Sequence, residues 1–147
     1  MAARSDLPAP AEVPPIGSDV LRLIFDHAIE GISVFDADLR LQAWNARFLG
    51  CTGLDAALVH RGAPLRELLV AMAQAGEFGA AGRSDPEADA DRRIEELRRG
   101  VPAVVERVRP NGRTIELRRN PTPGGGFVML YADITARHTA ATALADQ

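Results

Sequence analysis

Cys51 is the one thiol in the chain, and His27, His60 and His138 are its three imidazoles. A lone cysteine can form neither an intramolecular disulfide nor a paired-thiol metal site. The histidines are scattered without ligand spacing, so no metal site is expected. Cys51 reads as a small buried apolar side chain. Catalysis would need a nucleophile beside a base, or two carboxylates converging in a pocket. Asp36 and Asp38 flank Ala37 in a tight reversal, and the remaining acids gather on one charged helical segment. Gly124-Gly125-Gly126 lacks both the pattern and the following helix of a phosphate loop. No phosphoacceptor motif surrounds His138. No catalytic residue is assigned, and enzymatic activity is not expected.

All 17 basic residues are arginine. Arg92, Arg93, Arg98 and Arg99 lie among acids and read as a solvated helix face. Arg107, Arg109, Arg113, Arg118 and Arg119 make a hairpin basic, which reads as charge that keeps strand edges from pairing. No cluster is dense enough for a nucleic-acid footprint, and the net charge is −3. No apolar run approaches the ~20 residues that cross a bilayer, and Met1 to Pro15 lacks the hydrophobic segment of a signal peptide. No nucleic-acid or membrane partner and a cytoplasmic location are therefore expected. With 147 residues, 46% of them hydrophobic, the chain suits one domain that buries roughly 68–70% of its unfolded surface.

The elements follow from periodicity. Residues 1–16, rich in Ala and Pro, read as a disordered leader. Ser18 caps a helix running to about His27, with Leu21, Ile24, Phe25 and Ala28 on one side. Ile32/Val34 and Leu39/Leu41/Ala43 alternate at period two and predict two strands around the Asp36-Ala37-Asp38 turn. Asn45 caps the helical turn that follows, and Leu54 to Val59 makes another. Pro64 opens an amphipathic helix carrying Leu65, Leu68, Leu69, Met72 and Ala73, ended by Gly76. Ser84-Asp85-Pro86-Glu87 has the form of a capping box for a charged helix to about Arg99, with Asp89–Arg93 and Glu95–Arg99 as i,i+4 pairs. Val104–Arg109 and Arg113–Arg119 form a hairpin around Asn111-Gly112, a turn with positive φ. Pro121 to Gly126 is a looser turn. Phe127 to Ile134, apolar on both faces, belongs in mid-sheet, and a last helix starts at Thr135. The order predicts an α+β fold with an antiparallel sheet and helices over one face.

Gly-Ile-Ser-Val-Phe-Asp followed by Trp-Asn (31–36, 44–45), Gly-Glu-Phe-Gly (76–79), Arg-Pro-Asn-Gly-Arg (109–113) and Asp-Ile-Thr (133–135) together resemble a PAS domain. Their form is most similar to the PAS-7 subgroup found ahead of bacterial sensor histidine kinases. The resemblance spans about Ser18 to His138. It implies a five-stranded sheet in spatial order 2-1-5-4-3 with a pocket between sheet and helices. It also implies an amino-terminal helix over the outer face and, over 136–147, the start of a coupling helix leading to an output domain. The PAS domain itself would occupy 17–135, either free-standing or at the front of a longer kinase.

Asn45-Ala46-Arg47-Phe48-Leu49-Gly50 is similar to the run in flavin-binding light sensors that carries an adduct-forming thiol. Ala46 stands at the thiol's position, and Cys51 lies five residues on. Haem-binding relatives use a histidine on the helix before the third strand, which is absent here. Neither flavin nor haem is expected, and no cofactor is assigned. The cavity, filled or open, would be lined by Trp44, Phe48, His60, Met72, Ile94, Leu97, Ile115, Leu117, Phe127, Met129 and Tyr131. Val20, Leu21 and Ile24 with Val128 and Leu130 would make a homodimer interface. Asp133 and Thr135 would pass a shift of the last strand to the exit helix. Two readings result. One is a sensory and dimerisation module that relays to an output domain or partner such as a histidine kinase. The other is a receptor for a small apolar or weakly acidic molecule, with Tyr131 and His60 as polar contacts.

Overall fold

Three chain reversals in this protein share one design. In each, the fourth residue's N–H donates to the first residue's carbonyl: Leu39 to Asp36, Gly112 to Arg109 and Gly125 to Thr122, at 2.9, 2.9 and 3.0 Å. In each, the first residue's N–H then reaches the carbonyl of the fifth, Arg40, Arg113 or Gly126. The fourth residue has positive φ, 57° at Leu39, 85° at Gly112 and 93° at Gly125. This is the three-residue hairpin loop whose last position is left-handed, normally a glycine. Asn111 does not share the positive φ expected for the Asn-Gly pair; its Oδ1 instead accepts from the Arg113 N–H at 3.0 Å.

The computed structural model describes residues 17–145; the leader expected over 1–16 lies outside the described residues. Helix α1 (Ser18–Asp26) precedes strands β1 (Gly31–Phe35) and β2 (Leu41–Trp44). Helix α2 (Ala46–Thr52), a 3-10 turn (Ala56–Leu58) and helices α3 (Leu65–Gln74), α4 (Gly79–Ser84) and α5 (Pro86–Leu97) follow. Strands β3 (Ala103–Val108), β4 (Thr114–Pro121) and β5 (Phe127–Asp133) lead to helix α6 (Thr135–Ala145). The sheet runs β2-β1-β5-β4-β3 with every pair antiparallel. Ile32 to Phe35 lie beside Leu130 to Phe127, which fixes the closing geometry. One sheet face carries Ser33, Phe35, Phe127, Met129, Tyr131, Ile115 and Leu117. Against it pack Phe48, Leu65, Leu68, Met72 and Leu97 to form the core.

Several local expectations change. Gly17, not Ser18, precedes α1 and offers no side-chain cap. Ser84 ends α4, donating to the Ala81 carbonyl. Asp85 is the true cap of α5, accepting from the Ala88 N–H at 3.2 Å, so Glu87 closes no capping box. Asp89 pairs with Arg93 at 2.8 Å and also with Arg92, whereas Glu95–Arg99 is not among the ion pairs of the described residues. Asp89 is buried, so the helix turns an acid inward and not only a solvated face. Helix α1 buries no residue and meets β2 only along a groove lined by Leu21, Phe25, Ala43 and Trp44.

Leu39 sits in the turn and not on β2, yet its side chain is buried. A left-handed L-residue costs roughly 1–2 kcal/mol, while burying a leucine contributes about 1.5–3 kcal/mol. Burial wins, and the strain is retained. Leu39→Ala loses the packing and keeps the strain; Leu39→Gly loses the packing and relieves it. Urea melts should therefore show Leu39→Gly more stable than Leu39→Ala by about 1 kcal/mol, the reverse of the ordinary order. The usual order, alanine above glycine, would contradict this account of the turn.

Candidate functional site

Glu77 follows α3 in a loop where Gly76 takes positive φ, and its N–H bonds to the Met72 carbonyl. Its carboxylate is 6% exposed and receives Arg109 Nε and Nη2 and Arg107 Nη1, each at 2.9 Å. Burial would raise this carboxyl, but hydrogen bonds from Arg109 and Arg107 outweigh it and hold it below the usual value. Arg109 also reaches the Gly50 carbonyl on α2 at 2.9 Å. Gly53 lies against the pair: with φ of 71°, any Cβ there would come within 2.5 Å of Arg109 Nη2. Phe78, next along, is covered by the Arg93 guanidinium 3.7 Å from its ring centre and by Arg107 at 5.4 Å.

Phe78, Arg93 and Arg107 also line a cavity of about 210 Å³ between sheet and helices. Apolar side chains dominate it: Phe35, Leu65, Leu68, Met72, Met129 and others. Pockets for drug-sized molecules run roughly 300–1,000 Å³, so this one suits a smaller guest. Tyr131 lies inside, edge-on to Phe48 with ring centres 5.4 Å apart. Its hydroxyl lies 3.5 Å from Ser33 Oγ, a long contact, and donates to Met129 Sδ at 3.5 Å. Arg107 and Arg119 line the cavity too, and each keeps one buried nitrogen without an acceptor, Nη2 and Nε respectively.

Of the expected lining residues, Phe48, Met72, Leu97, Leu117, Met129 and Tyr131 meet at the cavity. Ile94, Ile115 and Phe127 pack in the core outside its wall. Trp44 belongs instead to the groove beneath α1. His60 is exposed in a turn, with Nδ1 3.1 Å from the Arg61 carbonyl, and does not reach the cavity. The arginines were missed because a basic hairpin reads as an edge device. Period two carried the signal: Arg119 follows Ile115 and Leu117 on one face of β4, and Arg107 pairs with Ile115 across the strands.

Beyond the cavity, Val20, Leu21 and Ile24 are exposed on α1, together with Leu23, while Val128 and Leu130 are half-buried on the outer sheet face. Asp133 and Thr135 form the corner into α6. Asp133 Oδ1 accepts from the Thr135 N–H and hydroxyl, and Oδ2 from Arg113 Nε at 2.8 Å. Thr135 Oγ1 in turn accepts from the Thr114 N–H at 2.8 Å. Burial alone would raise the Asp133 carboxyl, but these donors bring it down to about 2. Cys51 is buried, and burial raises its thiol. No group of three or more His, Cys, Asp or Glu side chains that would hold a metal occurs among the described residues. No helix among them is long and apolar enough to cross a membrane.

Tyr131 is the only tyrosine, so its ionisation is a direct probe of the cavity. Burial raises its phenol to about 12, with the Ser33 hydroxyl pulling slightly the other way. A folded pKa above the unfolded value near 10 contributes stability below pH 10 that is lost as pH climbs toward 12. Alkaline titration of tyrosinate absorbance should give a midpoint near 12 in folded protein and near 10 in urea. A folded midpoint near 10 would place the ring in contact with solvent.

Solved structures share this architecture. A domain of the sensory box sensor histidine kinase/response regulator from Geobacter sulfurreducens is 23% identical, with 79% of this chain and 93% of that one covered and a TM-score of 0.50. The PAS domain of BvgS from Bordetella pertussis is 20% identical over 87% of this chain and 93% of that one, TM-score 0.54. Phage VqmA, solved in complex with DPO, is 14% identical over 86% of this chain and 57% of that one, TM-score 0.55. These likenesses establish the fold. Among curated proteins none matches the chain. The family model described as the PAS fold matches residues 25–142, most of the chain, and the protein belongs to that family.

Proposed function

We propose that this chain is a sensory and dimerisation module of bacterial signal transduction, in which the state of the cavity is relayed along β5 into α6. One observation carries the reading. Tyr131 faces the cavity, and two residues later on the same strand Asp133 is bonded to the first residue of α6. A guest that moves Tyr131 acts on a strand whose end is tied by side chains to both β4 and the exit helix. The output would be a domain or partner joined through α6, with a histidine kinase as the expected class. The residues carry no nucleophile–base pair in the cavity, so the role proposed is sensing and not turnover. Flavin and haem are left out of the reading: Ala46 occupies the adduct position, and no histidine lines the cavity among the described residues.

The relay rests on the Thr135 hydroxyl, which joins the Thr114 amide to Asp133. Thr135→Val keeps the shape and removes both bonds. A net hydrogen bond is worth about 0.5–1.5 kcal/mol, so amide exchange at Thr114 and the first turn of α6 should quicken by roughly two- to tenfold. Exchange in β1 should not change. Unaltered exchange at the corner would show that this contact does not hold the helix.

Dimerisation is supported by α1, whose Val20, Leu21, Leu23 and Ile24 are all at least half exposed. A helix with no buried residue gains little from its own subunit. A second copy would cover the same patch isologously. Light scattering at micromolar concentration should give a dimer mass, and Leu21→Asp should give a monomer with an unchanged circular dichroism spectrum. A monomeric wild type would remove the dimer from the proposal.

A further inference from the structure

Inside the cavity, two guanidinium groups are under-satisfied. Arg119 is 8% exposed, makes no ion pair among the described residues, and buries its Nε without an acceptor. Arg107 spends Nη1 on Glu77 but leaves buried Nη2 without one. Buried donors are nearly always paired, and an uncompensated buried charge is among the costliest features a fold can carry. The neighbouring acids do not meet the need. Glu77 is engaged with Arg107 and Arg109. Asp89 is engaged with Arg92 and Arg93. Glu96 lies exposed at the cavity wall and makes no ion pair among the described residues. The rest of the lining is apolar apart from Arg93 and the Tyr131 hydroxyl.

We propose that the cavity takes a small organic acid whose carboxylate accepts from Arg119 and from Nη2 of Arg107, and whose apolar body fills the space among Leu68, Met72, Leu97 and Met129. This rests on the reading of the cavity as the sensory pocket. A guanidinium offers donors in a planar fork that suits a carboxylate, and pairing in a desolvated site strengthens the bond. At about 210 Å³ the volume limits the guest to the size of benzoate or a short-chain fatty acid. Rigid strands present both groups, Arg107 from β3 and Arg119 from β4, and Glu77 fixes the first of them. The acid would complete a set of donors that the protein leaves open.

The test uses calorimetry and thermal melts of the full chain with benzoate, hexanoate and their neutral amides. At least one acid should bind and raise the melting temperature, with its amide weaker by roughly tenfold or more. Arg119→Met should abolish that difference. It should also raise the melting temperature of the ligand-free protein, since an unpaired buried charge is replaced by an apolar side chain of similar length. Arg119→Lys, which keeps charge but loses the fork, should bind the acid more weakly than wild type. Acid and amide binding equally, or a selectivity unchanged in Arg119→Met, would overturn the anionic guest while leaving the cavity a receptor. Binding by none of the four would overturn both. Ligand-free Arg119→Met melting below wild type would show that Arg119 stabilises the ligand-free protein and would overturn the reading of its Nε as an open donor.

Discussion

A single buried carboxylate, that of Glu77, holds the helical layer to the sheet. Three donors from two arginines converge on it, and those arginines stand on and just beyond β3. Removing it would leave two mostly buried guanidiniums without their carboxylate, a change worth about 3–5 kcal/mol in buried pairs. The reach of the interaction exceeds its own bonds. Arg109 continues to the Gly50 carbonyl, so α2 is tied to the same point. Arg107 continues to Phe78 and to the cavity wall. Through Arg107, the one member of the cluster that also lines the cavity, the charge network is joined to an otherwise mostly apolar wall.

Asn45 does for the other end of the sheet what Glu77 does for this one. It is buried, and its amide makes four hydrogen bonds: Oδ1 accepts from Ile32 and Phe48, and Nδ2 donates to the carbonyls of Phe25 and Glu30. One side chain therefore sets the exit of α1, the start of β1 and the cap of α2. Its role as cap was legible in sequence, because an Asn before a helical run has few other uses. Its long-range bonds were not. They connect residues up to 20 positions apart, and nothing in local pattern says which carbonyls will arrive there.

The strands and their order were readable because period-two alternation and turn residues are local, and the family motifs supply the pairing. What escaped was charge placed inside. Gly-Glu-Phe-Gly and Arg-Pro-Asn-Gly-Arg are both visible as motifs, yet only the fold shows that Glu77 of the first meets Arg109 of the second. Arg107 and Arg119 read as charge that protects strand edges, because arginine is usually exposed. Register overrides that prior: Arg119 follows Ile115 and Leu117 on one face of β4, Arg107 on β3 pairs with Ile115, and that face is the core. Leu39 was misplaced for the opposite reason. Its burial suited the strand pattern, but the tertiary gain of burying it in a turn outweighs the local strain.

The two faces of β5 separate the two tasks assigned to this domain. Phe127, Met129 and Tyr131 face the core, with the last two on the cavity, while Val128 and Leu130 face outward. A strand in mid-sheet is bonded on both sides, to β1 and to β4. Under the function proposed above, such a strand would resist sliding and would answer a guest by small changes of twist. Such a change has two outlets. One is the outer face, which α1 leaves half-covered and which a second subunit would feel directly. The other is the Asp133–Thr135 corner, where a short chain of bonds joins Arg113, Thr114 and the first residue of α6. Because Arg119 also stands on β4, a carboxylate bound there would pull on the same pair of strands whose ends meet at that corner. On that proposal, ligand, sheet and exit helix would be linked through one β4–β5 ladder, and no separate moving part would be needed to carry the signal.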